Sequence, residues 1–259
     1  MCSFDEKYEK YSAYCEYQSK KEPNEWDFKS NENFTYMTEH VSEQIGHYYV
    51  DAIREEFQDV VTNHQEYIIR CIQKNDKYGK TIQYKYPYLI QCSPTNLRYI
   101  YQSFKIYKYI LSLKVESINF VEIGGGYGGL CYYLHCFADI FGIKINKYTI
   151  FDLKKPAMLL NKYLHSLNIY DVCTITLDEI NEVILGDDNF LVSSYALSEL
   201  LEDNRTKYQK QLIEPHVKHG FIAWNAVTPY NITNNETITI HNNFYSDKMN
   251  QSNFVYITF

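Results

Sequence analysis

The chain has 259 residues, 45% of them hydrophobic, enough for one large domain or one domain with an extension. Its formal net charge of −7 argues against a nucleic-acid backbone as main partner, because that contact needs a basic footprint. No window approaches the ~18 consecutive apolar residues of a membrane-spanning helix, and Met1-Cys2-Ser3-Phe4-Asp5-Glu6-Lys7 lacks the apolar core of a signal peptide. A soluble, cytoplasmic protein with no membrane partner is expected. Seven cysteines, at 2, 15, 71, 92, 131, 136 and 173, are odd in number, scattered and without a C-x-x-C. That fits reduced thiols better than a disulfide framework or a zinc site.

Residues 1–33 are charged and Tyr-rich, with a break at Lys20-Lys21-Glu22-Pro23-Asn24. They read as a polar lead-in, either loosely ordered or a short helix. Residues 34–115 read as a helical extension. From Glu39 to Lys74, Val41, Ile45, Tyr48, Tyr49, Ala52 and Ile53 and then Phe57, Val60, Val61, Tyr67, Ile68, Ile69 and Ile72 recur at helical spacing. This predicts two helices with a break near Asp59, ended by Asn75-Asp76-Lys77-Tyr78-Gly79. An extended segment over 81–92 follows. Ser93-Pro94-Thr95 then sets a cap residue before a proline at the first helical position. The helix to Leu113 presents Leu97, Ile100, Tyr101, Phe104, Tyr107 and Ile110 to a core.

Residues 116–259 alternate between strands and helices. Strands are expected at 118–123, 148–152, 172–176, 190–194 and 221–226, the last entered through Gly220. Helices are expected after the glycines to Phe141, from Lys154 to Leu167, and between Leu197 and Lys218 with an interruption at Pro215. Two further strands are expected at 237–241 and 254–258. The alternation means an α/β fold, a doubly wound, Rossmann-like parallel sheet.

The most informative stretch is Phe120-Val121-Glu122-Ile123-Gly124-Gly125-Gly126-Tyr127-Gly128-Gly129-Leu130. An apolar strand ends in an acid, then a glycine-rich turn, then an apolar helical pattern. Such turns let backbone N–H groups come close to a ligand. Gly124, Gly126 and Gly128 fit E-x-G-x-G-x-G, the turn of class I methyltransferases that use S-adenosyl-L-methionine (SAM). Gly124, Gly126 and Gly129 also satisfy G-x-G-x-x-G, the dinucleotide fingerprint of NAD(P)-dependent oxidoreductases. Glu122 favours the first, because an acid beside an arriving pyrophosphate would repel it; its carboxylate suits the ligand's amino end instead.

In a doubly wound sheet the ligand lies outside the carboxyl ends of the strands. That groups Glu122 and the glycines, including Gly125, with Asp152-Leu153 and Ser193-Ser194-Tyr195. Asp152 stands where an acid accepts the two ribose hydroxyls of an adenosine; a helix cap is its structural alternative. Asp178 is a candidate for the adenine or for a cap, and Ser193 to Tyr195 border the methionine end.

Phe151-Asp152-Leu153, Leu159-Leu160-Asn161-Lys162-Tyr163-Leu164 and Val192-Ser193-Ser194-Tyr195-Ala196-Leu197-Ser198-Glu199-Leu200 resemble the sugar O-methyltransferase family. Tyr36-Met37-Thr38-Glu39-His40-Val41 and Leu97-Arg98-Tyr99-Ile100 are similar to it as well. The resemblance covers roughly residues 34–226. It implies SAM as cofactor and transfer of a methyl group to a hydroxyl of a saccharide-like small molecule. A poor nucleophile of that kind needs a base. Glu199 is the first candidate, with a substrate clamp or a helix-surface acid as its other readings. His241, His216 and His47 are alternatives. Asn225, at the end of strand five, would orient a polar acceptor or satisfy backbone, and Arg98 would bind the SAM carboxylate or form a surface ion pair. No His/Asp cluster has metal-ligand spacing, so no metal is expected. A SAM-binding but inactive accessory protein is the reading from another class. The family's long helix before strand six is hard to find between Val227 and Glu236.

Overall fold

The computed structural model describes residues 4–38, 41–87, 91–182, 185–186, 188–224, 232, 239–242 and 255–259. The chain divides into two compact units, one of residues 1–115, 126–143 and 154–170, the other of 116–125, 144–153 and 171–259.

The first unit is helical: α1 (Phe4–Ser19), α2 (Glu32–Thr35), α3 (Glu43–Asp76), α4 (Pro94–Ser112), α5 (Gly129–Phe137) and α6 (Lys154–Ser166). α3 opens on Ser42, whose hydroxyl accepts from Ile45 N at 3.3 Å. As expected, the run is broken near Asp59: over its 34 residues the backbone leaves helical angles at Phe57 and again at His64, so α3 is helices joined across kinks. At the first kink the Phe57 ring is buried against Phe104 at 5.3 Å and Tyr101 at 6.2 Å. α4 is capped by Ser93, which accepts from Thr95 N at 3.3 Å. The six apolar residues expected to face a core are all buried, and so are Thr95, Asn96, Arg98, Gln102 and Ser103 on its other faces. The first half of α4 is thus buried on every face, while Lys108, Leu111 and Ser112 near its end are exposed.

Downstream of α1, residues 26–34 enter that core. Trp26, Phe28 and Phe34 are buried, and the indole N–H of Trp26 donates to Gln18 O at 2.8 Å. Lys29 is buried with them. Its ammonium donates to Asn75 O at 2.5 Å and to the Tyr163 hydroxyl at 2.7 Å, and lies 4.5 Å from the Tyr127 ring centre. Aromatic faces and carbonyls replace the water this cation gives up.

The second unit is built on a seven-stranded sheet: β1 (Ser117–Ile123), β2 (Lys144–Phe151), β3 (Val172–Ile175), β4 (Asn189–Ser194), β5 (Val217–Trp224), β6 (Thr239–Asn242) and β7 (Val255–Thr258). Its order is β3-β2-β1-β4-β5-β7-β6. β1 to β5 run parallel, and β7 is antiparallel to both β5 and β6. This is a mostly parallel α/β sheet, and its chain direction switches between β1 and β4. The inner strands are apolar on both faces, as parallel strands must be. Between β4 and β5 come α7 (Ala196–Glu199), α8 (Glu202–Tyr208), a π turn (Gln209–Ile213) and α9 (Glu214–His216). Leu197, Tyr208, Leu212 and Ile213 from this stretch join Val121, Ile123, Phe151, Leu191, Ile222, Trp224, Val255 and Ile257 in one core.

β5 begins three residues before Gly220 rather than after it. Gly220 is a contact point, not an entry turn. A side chain there would strike the Phe259 ring, which closes on it through Gly220 N to Phe259 O at 3.0 Å and Phe259 N to Gly220 O at 3.3 Å. The question of a helix before strand six falls on residues 225–238, nearly all of them outside the described residues.

Candidate functional site

The carboxyl ends of β1, β2, β4 and β5 lie at one edge of the sheet. β1 delivers Glu122, which is buried, its Oε2 accepting from the Tyr148 hydroxyl at 2.7 Å. Phe120 pairs with Tyr148 and Glu122 with Ile150, so alternation sets Glu122 and Tyr148 diagonally on one face of the sheet. Burial pushes the Glu122 carboxyl up to about 8, the Tyr148 hydrogen bond pulls it down, and the charge of Asp152 adds to the rise. The acid expected to meet a ligand's amino end therefore has an internal partner as well.

The ladder continues one step past β1, Gly124 N donating to Phe151 O at 2.9 Å. The chain then turns through Gly124, Gly126 and Gly128 at φ of +75°, +56° and +90°. Only glycine takes these left-handed angles without strain. At Gly124 space adds to the requirement, since a Cβ would run into the Ala196 side chain. Gly128 precedes the first residue of α5, so the amides of that helix follow directly on the turn.

β2 ends at Asp152, whose N donates to Ile175 O at 3.1 Å and whose Oδ1 accepts from Leu153 N at 2.6 Å. Leu153 is 46% exposed, an apolar side chain presented at the strand end. β4 ends in Ser193, Ser194 and Tyr195. Ser193 is buried; its hydroxyl donates to Ile123 O at 2.9 Å and accepts from Leu197 N at 3.1 Å, tying the last carbonyl of β1 to the start of α7. Tyr195 stands at φ +71°, ψ −28°, a left-handed conformation in a residue with a bulky side chain. Its N donates to Ala223 O at 2.9 Å and its carbonyl accepts from the Ser198 hydroxyl at 2.5 Å. Strain of this kind, fixed by its surroundings, gathers at functional positions. Glu199 closes α7, one turn beyond Tyr195, and is partly exposed.

The sheet unit therefore brings together Glu122, Gly124, Gly125, Asp152, Leu153, Ser193, Ser194, Tyr195 and Glu199. Within the helical unit, Gly126 and Arg98 meet at one residue. The Arg98 side chain is buried and its Nη2 donates to Thr38 O at 2.8 Å, while a Cβ on Gly126 would lie 3.3 Å from Thr38 Cγ2. Arg98 is not a surface residue, and its guanidinium carbon also lies 5.0 Å from the Tyr99 ring centre. Tyr127, inside the turn, is fully buried among Phe28, Tyr99 and Tyr163, with ring centres 5.8, 6.0 and 5.2 Å away.

Of the histidine candidates, His216 precedes β5 and so sits at the opposite end of that strand. Eight steps at ~3.3 Å put it roughly 26 Å from the strand's carboxyl end, too far to act there. His47 is in α3, its ring 4.9 Å from Tyr86. His241 is in β6 and Asn225 follows β5; the side chain of the first and all of the second lie outside the described residues. Asp178 is exposed at the head of a short 3-10 helix, whose capping falls to Glu179: its Oε2 accepts from Thr176 N at 2.8 Å and Thr176 Oγ1 at 2.9 Å. Sequence reasoning passed over Tyr208. It is buried on α8 against Phe151 at 6.2 Å, and its hydroxyl is held above its ordinary range by burial and by the charges of Asp152 and Asp178. Among the described residues no group of three or more His, Cys, Asp or Glu has a metal-holding arrangement, and no helix is long and apolar enough to cross a membrane.

No family profile and no curated protein matches the chain. Solved structures resemble it at low identity. A S-adenosylmethionine-dependent methyltransferase from Clostridium acetobutylicum is 14% identical with a TM-score of 0.38, over 49% of this chain and 50% of that one. The mitomycin 7-O-methyltransferase MmcR is 18% identical with a TM-score of 0.37, over 53% and 40%. A mutant form of MtNAS is 12% identical with a TM-score of 0.40, over 100% and 98%. The chain spans about half the length of the first methyltransferases it matches, 47%, 59% and 50%. At these scores the superpositions carry no argument about chemistry. The sheet order alone shows a Rossmann-like, mostly parallel α/β fold.

Proposed function

We propose that the chain is a SAM-dependent methyltransferase acting on a hydroxyl of a saccharide-like small molecule. One observation carries the reading: a left-handed glycine turn leaves the central strand β1 behind a buried acid, with Asp152 at the next strand end, in a sheet whose last-placed strand pair includes one reversed strand. A dinucleotide-binding sheet of order 3-2-1-4-5-6 has no reversed strand inserted beside its fifth, so the nicotinamide oxidoreductase is the weaker reading.

The residues fit the cofactor in kind. Asp152 offers a carboxylate to a diol, Leu153 an exposed apolar surface to a base, and the glycine turn backbone amides at a helix start. By residue type, Glu122 of the sheet unit is the acid offered to the cofactor's ammonium, and Arg98 of the helical unit the cation offered to its carboxylate. When bound, SAM supplies an electrophilic methyl group on a good leaving group. The chain's own work is then positioning and proton management. Ser193 fixes β4 against β1, Tyr195 holds the loop that borders the acceptor, and Glu199 takes the hydroxyl proton onto its carboxylate as the acceptor oxygen attacks.

Calorimetric titration with S-adenosylhomocysteine, with NAD and NADH in parallel, tests the reading. Micromolar binding of the first, abolished in Gly126→Arg, is expected. Binding of a nicotinamide cofactor alone would overturn it. Glu199→Gln that binds S-adenosylhomocysteine normally but loses turnover on a sugar acceptor would support the assigned base, and an unchanged rate would remove it.

A further inference from the structure

The helical unit contains a second chemical feature that the glycine turn does not explain. α3 and α5 face each other across a cleft of about 220 Å³ whose lining includes Arg70, Cys71, Lys74, Tyr132, His135 and Cys136. The two cysteines are reduced, and both line the same cleft. Their backbones are locked in place reciprocally. Tyr132 of α5 donates its hydroxyl to Cys71 O at 3.0 Å, and Tyr67 of α3 donates its hydroxyl to Cys136 O at 2.8 Å. Two thiols so held, with two cationic side chains on the same cleft, are unlike buried structural cysteines, which are inert in apolar surroundings.

We propose that Cys71 and Cys136 form a thiol-modification site, a pair that a small hydroperoxide entering this cleft oxidises to a disulfide linking α3 to α5. The environment gives the two sulfurs different parts. Cys71 is drawn below the ordinary thiol value, first by Cys136 and then, against burial, by the positive charge of Lys74. Cys136 is pushed up by Cys71 and by burial, and keeps its proton. His135 also lines the cleft, and its Nδ1 lies 3.6 Å from Cys131 Sγ.

Cys71 as thiolate attacks the terminal peroxide oxygen. An S–O bond forms, the O–O bond breaks, and the leaving alkoxide takes a proton and departs as alcohol, or as water from hydrogen peroxide. Cys136 then attacks the sulfenic sulfur. The S–S bond forms, the S–O bond breaks, and hydroxide leaves with the Cys136 proton as water. Two thiols and one hydroperoxide give one disulfide, one alcohol and one water. A dithiol reductant reverses it. This site stands independently of the methyltransferase reading.

The experiment treats the full chain with one equivalent of hydrogen peroxide, blocks remaining thiols with an alkylating agent, and maps peptides without reduction. A Cys71–Cys136 disulfide formed ahead of any other cysteine product, and removed by dithiothreitol, is the expected result. Cys136→Ser should then trap a Cys71 sulfenic acid as its dimedone adduct. A map in which both cysteines remain alkylated, or in which the first linkage uses Cys131 or Cys92 instead, overturns the proposal. The wild-type map decides this even where a variant folds poorly.

Discussion

Glu122→Gln isolates the largest electrostatic anomaly in the sheet. The carboxyl is buried, one hydrogen bond from Tyr148 favours its ionised form, and its value nonetheless rises from 4.5 to about 8. Between those values the unfolded chain has released the proton while the folded chain keeps it. Stability therefore falls as pH rises through this window, by about 1.4 kcal/mol per pH unit, or about 5 kcal/mol in all. Above about 8 both states are ionised and the loss is complete. Glutamine keeps an acceptor for the Tyr148 hydroxyl and does not titrate. Its amide hydrogens add an offset that does not depend on pH, so the slope is the readout. In urea denaturation from pH 5 to 9, the stability difference between variant and wild type should climb in the variant's favour by about 1.4 kcal/mol per unit up to pH 8 and then level off. Every other titrating group cancels in that difference. A flat difference across the range would mean that Glu122 is ionised in the fold, and the reasoning from burial would be wrong.

The same protonation state constrains ligand binding. At pH 7 a free chain holds the Glu122 proton; if the carboxylate receives the cofactor's ammonium, S-adenosylhomocysteine binding should release close to one proton, seen as a buffer-dependent calorimetric enthalpy, and zero release would remove Glu122 from the binding set. Tyr195→Gly relieves a left-handed backbone worth about 1 kcal/mol, so the melting temperature should hold or rise while methyl transfer drops; unchanged turnover would make the strain incidental. Asn189→Ala should cost about 1–2 kcal/mol in denaturant unfolding, because Nδ2 donates to Gly186 O at 2.5 Å and His216 O at 2.7 Å and so pins the start of β4.

How much of this was legible in the sequence depends on the range of the physical signal. The glycine turn was legible because its cause is local: three positions need left-handed backbone angles, and no other residue type supplies them without strain. The Ser93 cap and the strand alternation were legible for the same reason, each determined within a few residues. The α3 break was legible near Asp59 from periodicity and falls at Phe57, but the ring contacts of Phe57 with Tyr101 and Phe104, more than a helix away in sequence, and the second departure at His64 were not.

Polar partnerships over long range were not legible at all. Nothing near Lys29 announces a buried cation; its acceptors arrive from Asn75 and Tyr163, and its aromatic cover from Tyr127. A charged lead-in by composition thus contributes one of the most buried cations of its unit. Ser193 and Arg98 make the same point from the other side. Both have residue types that a ligand would use, and both spend bonds on Ile123 O and Thr38 O. Each carbonyl belongs to a segment whose neighbourhood is fixed only once the strands or helices have packed. A buried polar group must find a partner somewhere, but the sequence does not say whether that partner is a ligand or the protein's own backbone. Residue type therefore nominates a site, and only the geometry of competing acceptors can separate the groups that hold the scaffold from those left to hold a substrate.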